Sequence, residues 1–158
     1  MRILLIRHAK AADRALFFGN DMKRPLVQKG IERSKKLFGA LKDTFKIDLI
    51  VSSEAVRAYQ TAKILNEFFK EAPLVKEPLL NPGASESDYL KVIKKHSGAN
   101  TLAMVGHEPD ISETVGYFLG CEYLNVKIKK SSITELLYEE GLFELRALIY
   151  PSLLERAD

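Results

Sequence analysis

The chain has 158 residues, of which 46% are hydrophobic, and these values fit one domain that buries a core without disulfides or metal. Its 24 Lys and Arg residues nearly balance 21 Asp and Glu residues, and the formal net charge of +3 argues against a dedicated nucleic-acid-binding protein. The single cysteine, Cys121, excludes an intrachain disulfide and a cysteine-based metal cluster and favours a reducing compartment. The first apolar run, Ile3–Ile6, is too short for a signal peptide or a membrane span. We therefore expect a single cytoplasmic domain over residues 1–158 with no membrane or nucleic-acid partner.

Short apolar runs alternate with helical patterns along the chain, which is typical of an α/β domain. The runs Ile3–Ile6, Ile47–Val51 and Thr101–Val105 predict strands that are buried on both faces of a sheet. Apolar residues at steps of three and four predict a helix over 27–45 and a second helix over 54–69.

Polar residues at fixed offsets predict where helices begin. Ser52 or Ser53 is placed to cap the helix over 54–69. The segments 85–88 and 110–113 both have the spacing of a capping box, which predicts two further helices.

The C-terminal part predicts a different structure. The runs Ser132–Tyr138 and Leu142–Ile149 flank Glu139-Glu140-Gly141, and this arrangement is typical of a β-hairpin. Together with the alternating strands and helices, the hairpin predicts a three-layer α/β/α sandwich with a mostly parallel central sheet.

Basic and imidazole side chains follow the predicted buried strands. Arg7 and His8 follow the first strand, Arg57 comes soon after the second, and His107 follows the third. Because ligands of open α/β sheets bind outside the carboxyl ends of the strands, we expect these four side chains to share one pocket. Arginine suits bidentate phosphate binding, and a helix start near Arg57 favours the same anion. The sequence therefore predicts a phosphate site.

Each of these residues also has a structural interpretation. A histidine after a strand is more often a hydrogen-bonded structural residue than a catalyst, and a helical arginine is usually solvated. The third histidine, His96, lies at a lysine-rich helix end and is interpreted as solvated. The lysines at 127, 129 and 130 are interpreted as solvated surface, with steering of an acidic partner as the alternative.

Four motifs resemble the histidine phosphatase superfamily, also called the phosphoglycerate mutase-like family. These are Leu5-Ile6-Arg7-His8-Ala9, Arg24-Pro25-Leu26 followed by Gly30, Ser52-Ser53 through Arg57 to Gln60-Thr61-Ala62, and Val105-Gly106-His107-Glu108-Pro109. They follow the order and approximate spacing of the family and cover most of the chain. The short length and the second and fourth motifs resemble the SixA-type branch, the phosphohistidine phosphatases.

The resemblance implies a role for each matching residue. It makes His8 the nucleophile that accepts the phosphoryl group, and it makes Arg7, Arg57 and His107 the groups that bind the phosphoryl oxygens. The implied chemistry requires no cofactor and no metal. The implied substrate is a phosphorylated protein such as a histidine-containing phosphotransfer domain, whereas nothing in the sequence indicates the oligomeric state.

The chain also departs from the usual family pattern. Ala9 replaces the commoner glycine, and Lys10 stands where many relatives have an acidic residue. Arg24 is expected at the pocket rim or as an anchor of the following helix. Mutases of the family use a glutamate as general acid, and Glu77 and Glu86 lie in the region where one is expected, but the sequence selects neither.

Three functions are compatible with this pattern. The first is a phosphohistidine phosphatase, for which an acid is least needed because imidazole is a good leaving group. The second is a phosphatase of small phosphomonoesters built on the same pocket. The third is a non-catalytic module that binds phosphate or a phosphoprotein, and an intact His8 argues against it because binding alone needs no nucleophile.

Overall fold

The computed structural model describes residues 1–155 and contains a six-stranded sheet with helices on both faces. The strands are β1 (Arg2–Arg7), β2 (Leu49–Ser52), β3 (Leu74–Lys76), β4 (Thr101–Gly106), β5 (Ile133–Glu139) and β6 (Leu142–Ile149). The helices are α1 (Gln28–Leu41), α2 (Val56–Phe68), α3 (Glu86–Lys95), α4 (Asp110–Phe118) and α5 (Ser152–Glu155). Two short 3₁₀ helices span Asp21–Lys23 and Pro78–Leu80.

The strand order is β3-β2-β4-β1-β5-β6. The β3, β2, β4 and β1 strands pair in parallel, whereas the β5–β6 hairpin continues the sheet in antiparallel pairing beside β1. This arrangement confirms the mostly parallel sheet. It also brings the carboxyl ends of β1, β2 and β4 to the same edge, which is where an open α/β sheet binds its ligand.

Side chains of β1 alternate between two hydrophobic cores. Leu4 and Ile6 pack with α1 and α2 residues on one face, and Ile3 and Leu5 pack with α3 and α4 residues on the other. All four are fully buried, because successive side chains of a strand point to opposite faces and both faces are covered. The prediction of three layers is confirmed.

The helix predicted over 27–45 ends earlier in the structure. The α1 helix stops at Leu41, and the next residues form a turn in which the Thr44 N–H donates to the Leu41 carbonyl at 2.9 Å. Phe45 is still buried in the core, but it reaches the core from this turn. The apolar spacing therefore continued past the end of the helix. Similarly, Ile47 is buried although β2 begins only at Leu49.

One of the three predicted caps is confirmed. Ser85 and Asp88 form the capping box at the start of α3. Ser53 does not cap α2, whose N-cap is Ala55. Its hydroxyl accepts a hydrogen bond from the N–H of Ala55 itself at 3.2 Å, before the first turn, and also binds Asn81 and His107.

The second capping box, predicted over 110–113, is also wrong. The N-cap of α4 is Pro109, whose side chain makes no capping hydrogen bond. The Asp110 carboxylate instead accepts hydrogen bonds from the backbone N–H groups of Gly83 and Ala84, at 2.9 and 3.2 Å. Asp110 thus holds a neighbouring loop in place.

The sequence analysis did not identify β3 or the two 3₁₀ helices. Each has only three residues, which is too short for an apolar period to appear. Among the described residues, no helix combines the length and apolar character needed to cross a membrane.

Candidate active site

A pocket of about 1060 Å³ lies at the carboxyl ends of β1 and β4 and is lined by all four predicted site residues. Arg7 ends β1, His8 follows it, His107 follows β4, and Arg57 lies in the first turn of α2. His8, Arg57 and His107 are buried, with only 7%, 2% and 3% of their surfaces exposed. The sheet topology therefore gathers two imidazoles and two guanidiniums from three distant parts of the sequence.

The imidazole of His8 is held in one tautomer. Its Nδ1 lies 2.7 Å from the carbonyl oxygen of Ala9, and because a carbonyl only accepts, Nδ1 must carry the proton. Burial lowers the pKa of His8 to about 3; the hydrogen bond to Ala9 opposes this shift, and the nearby His107, Arg57 and Arg7 reinforce it. His8 is therefore neutral at pH 7 with a free electron pair on Nε2, the state that a nucleophile requires.

The second imidazole, that of His107, lies beside the first. The two ring centroids are 5.2 Å apart and the planes are tilted by 51°. His107 Nε2 lies 2.9 Å from the hydroxyl of Ser53, which donates its own proton to Asn81. The Nε2 atom of His107 is therefore the donor, and Nδ1 is left buried without a hydrogen-bond partner within residues 1–155. Burial, followed by the charge of Arg57, lowers the pKa of His107 to about 3.

Each of the two pocket arginines, Arg7 and Arg57, donates one hydrogen bond to a backbone carbonyl and leaves another N–H group without a partner among the described residues. Arg7 Nη1 donates to the carbonyl of Ile128 at 2.7 Å, and Arg57 Nη1 donates to the carbonyl of Asp21 at 2.9 Å. The Nε atoms of both arginines are buried without a protein partner among the described residues. Buried donors of this kind need a partner, and a phosphoryl oxygen is the natural one for a guanidinium.

Asp21 orients Arg57 and links it to two further arginines. Its carboxylate lies 3.1 Å from Arg57 Nη2, 2.9 Å from Arg24 Nε and 3.3 Å from Arg14 Nε. The hydrogen bonds from Arg14 and Arg24, together with the charge of Arg57, hold the pKa of Asp21 well below its usual range. Arg24 lines the pocket, as expected for a rim residue, and also donates to the Ala12 carbonyl at 2.7 Å. The sequence analysis did not identify Asp21.

Thr61 connects the His8 loop to the Arg57 helix. Its hydroxyl accepts a hydrogen bond from the Ala9 N–H at 3.0 Å and donates one to the Arg57 carbonyl at 2.7 Å. This buried hydroxyl fixes the backbone beside His8 relative to the backbone of Arg57. It also explains why a threonine follows Arg57 by four positions.

Gly30 lets α1 approach the same loop. A Cβ atom at this position would lie 2.3 Å from the carbonyl oxygen of Lys10, which also accepts a hydrogen bond from Val27 at 3.0 Å. Any side chain here would push the start of α1 away from the segment that carries His8.

Neither acidic residue considered from the sequence lines this pocket. Glu77 is buried, bonds to Lys95 at 2.7 Å and caps the 3₁₀ helix over 78–80. Glu86 lies in the first turn of α3 and lines a different cavity. Neither of these two residues, between which the sequence did not decide, is placed to act as an acid in this pocket.

Glu108 is the carboxyl group that the sequence analysis missed. It lines the pocket directly after His107, is half-buried, and accepts a hydrogen bond from the Ser112 N–H at 2.9 Å. Burial raises its pKa, with hydrogen bonds from Ser112 and the charge of Arg7 acting in the opposite direction. A carboxyl group with a raised pKa in a phosphate pocket can carry a proton to a leaving group. Only its position next to His107 could have indicated this residue from the sequence.

The outer rim of the pocket is basic and exposed. Lys10, Arg14 and Lys130 line it, and all three are exposed at the surface. The interpretation of Lys130 as ordinary solvated surface is therefore incomplete, because its side chain borders the same pocket as His8. His96 lies at the end of α3 and does not line the pocket.

Solved structures with the same fold include phosphatases with different substrates. The chain is similar to a candidate phosphohistidine phosphatase SixA from Agrobacterium tumefaciens, with 26% identity, a TM-score of 0.83 and coverage of 95% of this chain and 97% of the other. It is also similar to the protein histidine phosphatase SixA in complex with tungstate, with 22% identity, a TM-score of 0.85 and coverage of 98% and 99%. A candidate α-ribazole-5′-P phosphatase from Escherichia coli matches with 16% identity, a TM-score of 0.80 and coverage of 96% and 97%. The last two likenesses concern the fold alone.

Sequence comparison places the chain in a family. It is 29% identical over 93 residues to an 8-oxo-(d)GTP phosphatase from Mycolicibacterium smegmatis, and the match covers 59% of this chain but only 28% of that longer protein. The family model of the histidine phosphatase superfamily (branch 1) matches residues 3–82, which include Arg7, His8 and Arg57. The chain belongs to the histidine phosphatase superfamily.

Proposed function

We propose that the protein hydrolyses phosphohistidine on another protein, through a phosphohistidine formed on its own His8. The observation that carries this proposal is the shape of the pocket, whose floor is buried while its rim is exposed. Two segments that border the pocket, 8–27 and 77–85, contain within the described chain no more regular structure than 3₁₀ helices of three residues and one isolated β-bridge between Ala11 and Leu26. An open pocket of this kind accepts a phosphoryl group that projects from a protein surface.

In the first step, Nε2 of His8 attacks the phosphorus atom and the phosphorus–nitrogen bond of the substrate breaks. The departing imidazole takes up one proton and leaves in its neutral form. His8 becomes a phosphorylated imidazolium whose Nδ1–H still donates to Ala9. Arg7 and Arg57 stabilise the charge on the transferred group, because donors held in a buried site need little reorganisation. His107 joins them when its Nε2–H group, which donates to Ser53 in this structure, turns to a phosphoryl oxygen.

In the second step, water attacks the phosphorus atom and the bond to Nε2 breaks. One proton of that water is released, inorganic phosphate leaves, and His8 returns to its neutral tautomer with Nδ1 protonated. The low pKa of His8 favours this return, because burial disfavours the charged ring.

The leaving group supports a phosphohistidine substrate. Imidazolium has a pKa of about 6.5, so imidazole departs with little assistance. An alkoxide is close in basicity to hydroxide, whose conjugate acid has a pKa of about 15.7, and it needs an effective acid.

A second candidate function is hydrolysis of small phosphomonoesters, and Glu108 is the observation that favours it. A half-buried carboxyl group with a raised pKa in the pocket is suited to protonate an alkoxide. The similarity in fold to a candidate α-ribazole-5′-P phosphatase is compatible with such a substrate.

One comparison of substrates distinguishes the two candidates. The kcat/KM value would be measured in one buffer for a phosphorylated histidine-containing phosphotransfer domain, for several sugar phosphates and for an aryl phosphate. The proposal predicts the highest value for the phosphotransfer domain. Sugar phosphates exceeding it by tenfold or more would establish the phosphomonoesterase instead.

We also propose that the protein works in a reducing, cytoplasmic compartment. The support is the exposed thiol of Cys121, which stays reduced only under such conditions.

A further inference from the structure

Next to the catalytic pocket, the segment Ala12–Asn20 presents two apolar side chains to solvent. Leu16 is 75% exposed and Phe18 is 93% exposed. A single exposed apolar residue needs no explanation, but these two lie within three positions of each other on a segment whose first residues line the pocket.

Hydrogen bonds fix the backbone of this segment at several points. The Ala12 N–H donates to the Pro25 carbonyl at 2.8 Å, and the Phe17 N–H donates to the Asp13 carbonyl at 3.0 Å. Arg14 adds an ion pair with Asp21, the residue that also holds Arg57. The segment is therefore an anchored turn that displays its apolar side chains outward, and its anchor is shared with the phosphate site.

The basic rim completes this surface. Lys10 and Lys130 border the pocket, and within residues 1–155 their side chains form no hydrogen bond or ion pair. The half-buried Arg7 and the buried Arg57 carry two positive charges for a phosphoryl dianion, so the two lysines are available for other acidic groups. An apolar patch beside unpaired positive charges fits a protein surface on which apolar and acidic side chains surround the phosphorylated residue.

We infer that Leu16 and Phe18, with Lys10 and Lys130, form the docking surface for the phosphoprotein substrate. This inference rests on the proposed function, and it specifies the partner as a folded protein with an apolar patch and acidic side chains around its phosphohistidine. A substrate without these features would use the phosphate pocket alone.

The double variant Leu16→Ser/Phe18→Ser tests the apolar part of the surface. Neither residue lines the pocket, so the kcat/KM value for an aryl phosphate should stay within about twofold of the wild-type value. The kcat/KM value for a phosphorylated phosphotransfer domain should fall about tenfold or more, mainly through KM, because truncated interface anchors weaken binding. Leu142→Ser is the matched control, since Leu142 is 76% exposed at the tip of the β5–β6 hairpin and should change neither value.

The lysines are tested through salt dependence. Lys10→Gln/Lys130→Gln should flatten the decrease of kcat/KM with ionic strength for the phosphoprotein, because fewer charges then steer the encounter. Lys46→Gln, a change of an exposed lysine before the amino end of β2, should leave the slope unchanged.

Each outcome decides a different claim. If the wild-type protein turns over no phosphohistidine protein, the proposed function fails before any variant is compared. If it does so and Leu16→Ser/Phe18→Ser retains full kcat/KM, the docking inference alone is overturned. Equal losses on both substrates would overturn it in favour of a structural role for the segment. A wild-type dimer in sedimentation that the double variant dissociates would assign the surface to a second copy of the chain.

Discussion

The Nδ1–H group of His8 donates a hydrogen bond to the carbonyl oxygen of Ala9, its neighbour in the chain, at 2.7 Å. This contact decides which ring nitrogen can react, because it occupies Nδ1 and leaves the electron pair of Nε2 in the pocket. The backbone N–H of Ala9 donates to Thr61 at 3.0 Å, so the tautomer of His8 depends on the packing of α2 against the end of β1.

Stability should fall as the pH drops below about 6.5. His8 and His107 have a pKa of about 3 in the folded protein, against 6.5 in the unfolded chain, so the unfolded state binds protons first as the pH falls. Each histidine then lowers the free energy of unfolding by up to about 1.4 kcal/mol per pH unit between pH 6.5 and 3. Urea unfolding at several pH values, in a buffer without phosphate, measures this slope.

The double variant His8→Asn/His107→Asn provides the control for this slope. The raised pKa of Glu108 acts in the opposite direction and is retained in the variant, so the difference between the two proteins isolates the histidines. Identical slopes for wild type and variant would show that the histidines are not neutral at low pH.

Removing a phosphate-binding guanidinium should impair catalysis strongly. Arg57→Ala should lower kcat on any good substrate by about 100-fold or more and weaken competitive inhibition by vanadate, because a buried donor to the transferred group is lost. Asp21→Asn should cause a smaller loss, since it keeps an oxygen for Arg57 but removes the charge. Arg146→Ala, which breaks a surface pair with Glu144, should change neither quantity. Unaltered kinetics and inhibition in Arg57→Ala would contradict the assignment.

Two threonines of similar burial should respond in opposite ways to replacement by valine. Thr61→Val leaves the buried Ala9 N–H without an acceptor and should cost about 1–3 kcal/mol of stability. Thr134 is buried too, but its hydroxyl has no hydrogen-bond partner among the described residues, so Thr134→Val should be neutral or stabilising. Urea unfolding measures both changes, and equal destabilisation would refute the role given to Thr61.

The role of Glu108 should depend on the leaving group. Glu108→Gln keeps an acceptor for the Ser112 N–H but has no proton to give, so hydrolysis of alkyl phosphates should fall by about 100-fold. Turnover of a phosphohistidine protein should change by less than about threefold, because imidazole needs little protonation. A uniform loss across all substrates would assign Glu108 a structural role.

The sequence predicted those features that depend on strand position. Buried apolar runs placed Arg7, His8 and His107 at strand ends, and the resemblance of the motifs to the family agreed with that placement. The position of Asp21 beside Arg57 could not be predicted from the sequence. Asp21 lies on a 3₁₀ helix in the long segment between β1 and α1, where no apolar period indicates the path of the chain. Glu108 was visible in its motif, but its proposed role depends on burial beside Arg7, which only the folded chain reveals.

The chemical identity of the phosphorylated enzyme tests the assignment of His8 as nucleophile most directly. The protein would be mixed with an aryl phosphate and, in a separate experiment, with a phosphohistidine protein. Each reaction would be quenched rapidly in alkali. We expect one acid-labile, alkali-stable phosphate on His8, attached to Nε2, because Nδ1 is occupied by its hydrogen bond to the Ala9 carbonyl. His8→Ala should show no labelling and no turnover. Phosphate on Nδ1 or on another residue, or undiminished turnover in His8→Ala, would show that His8 Nε2 is not the nucleophile.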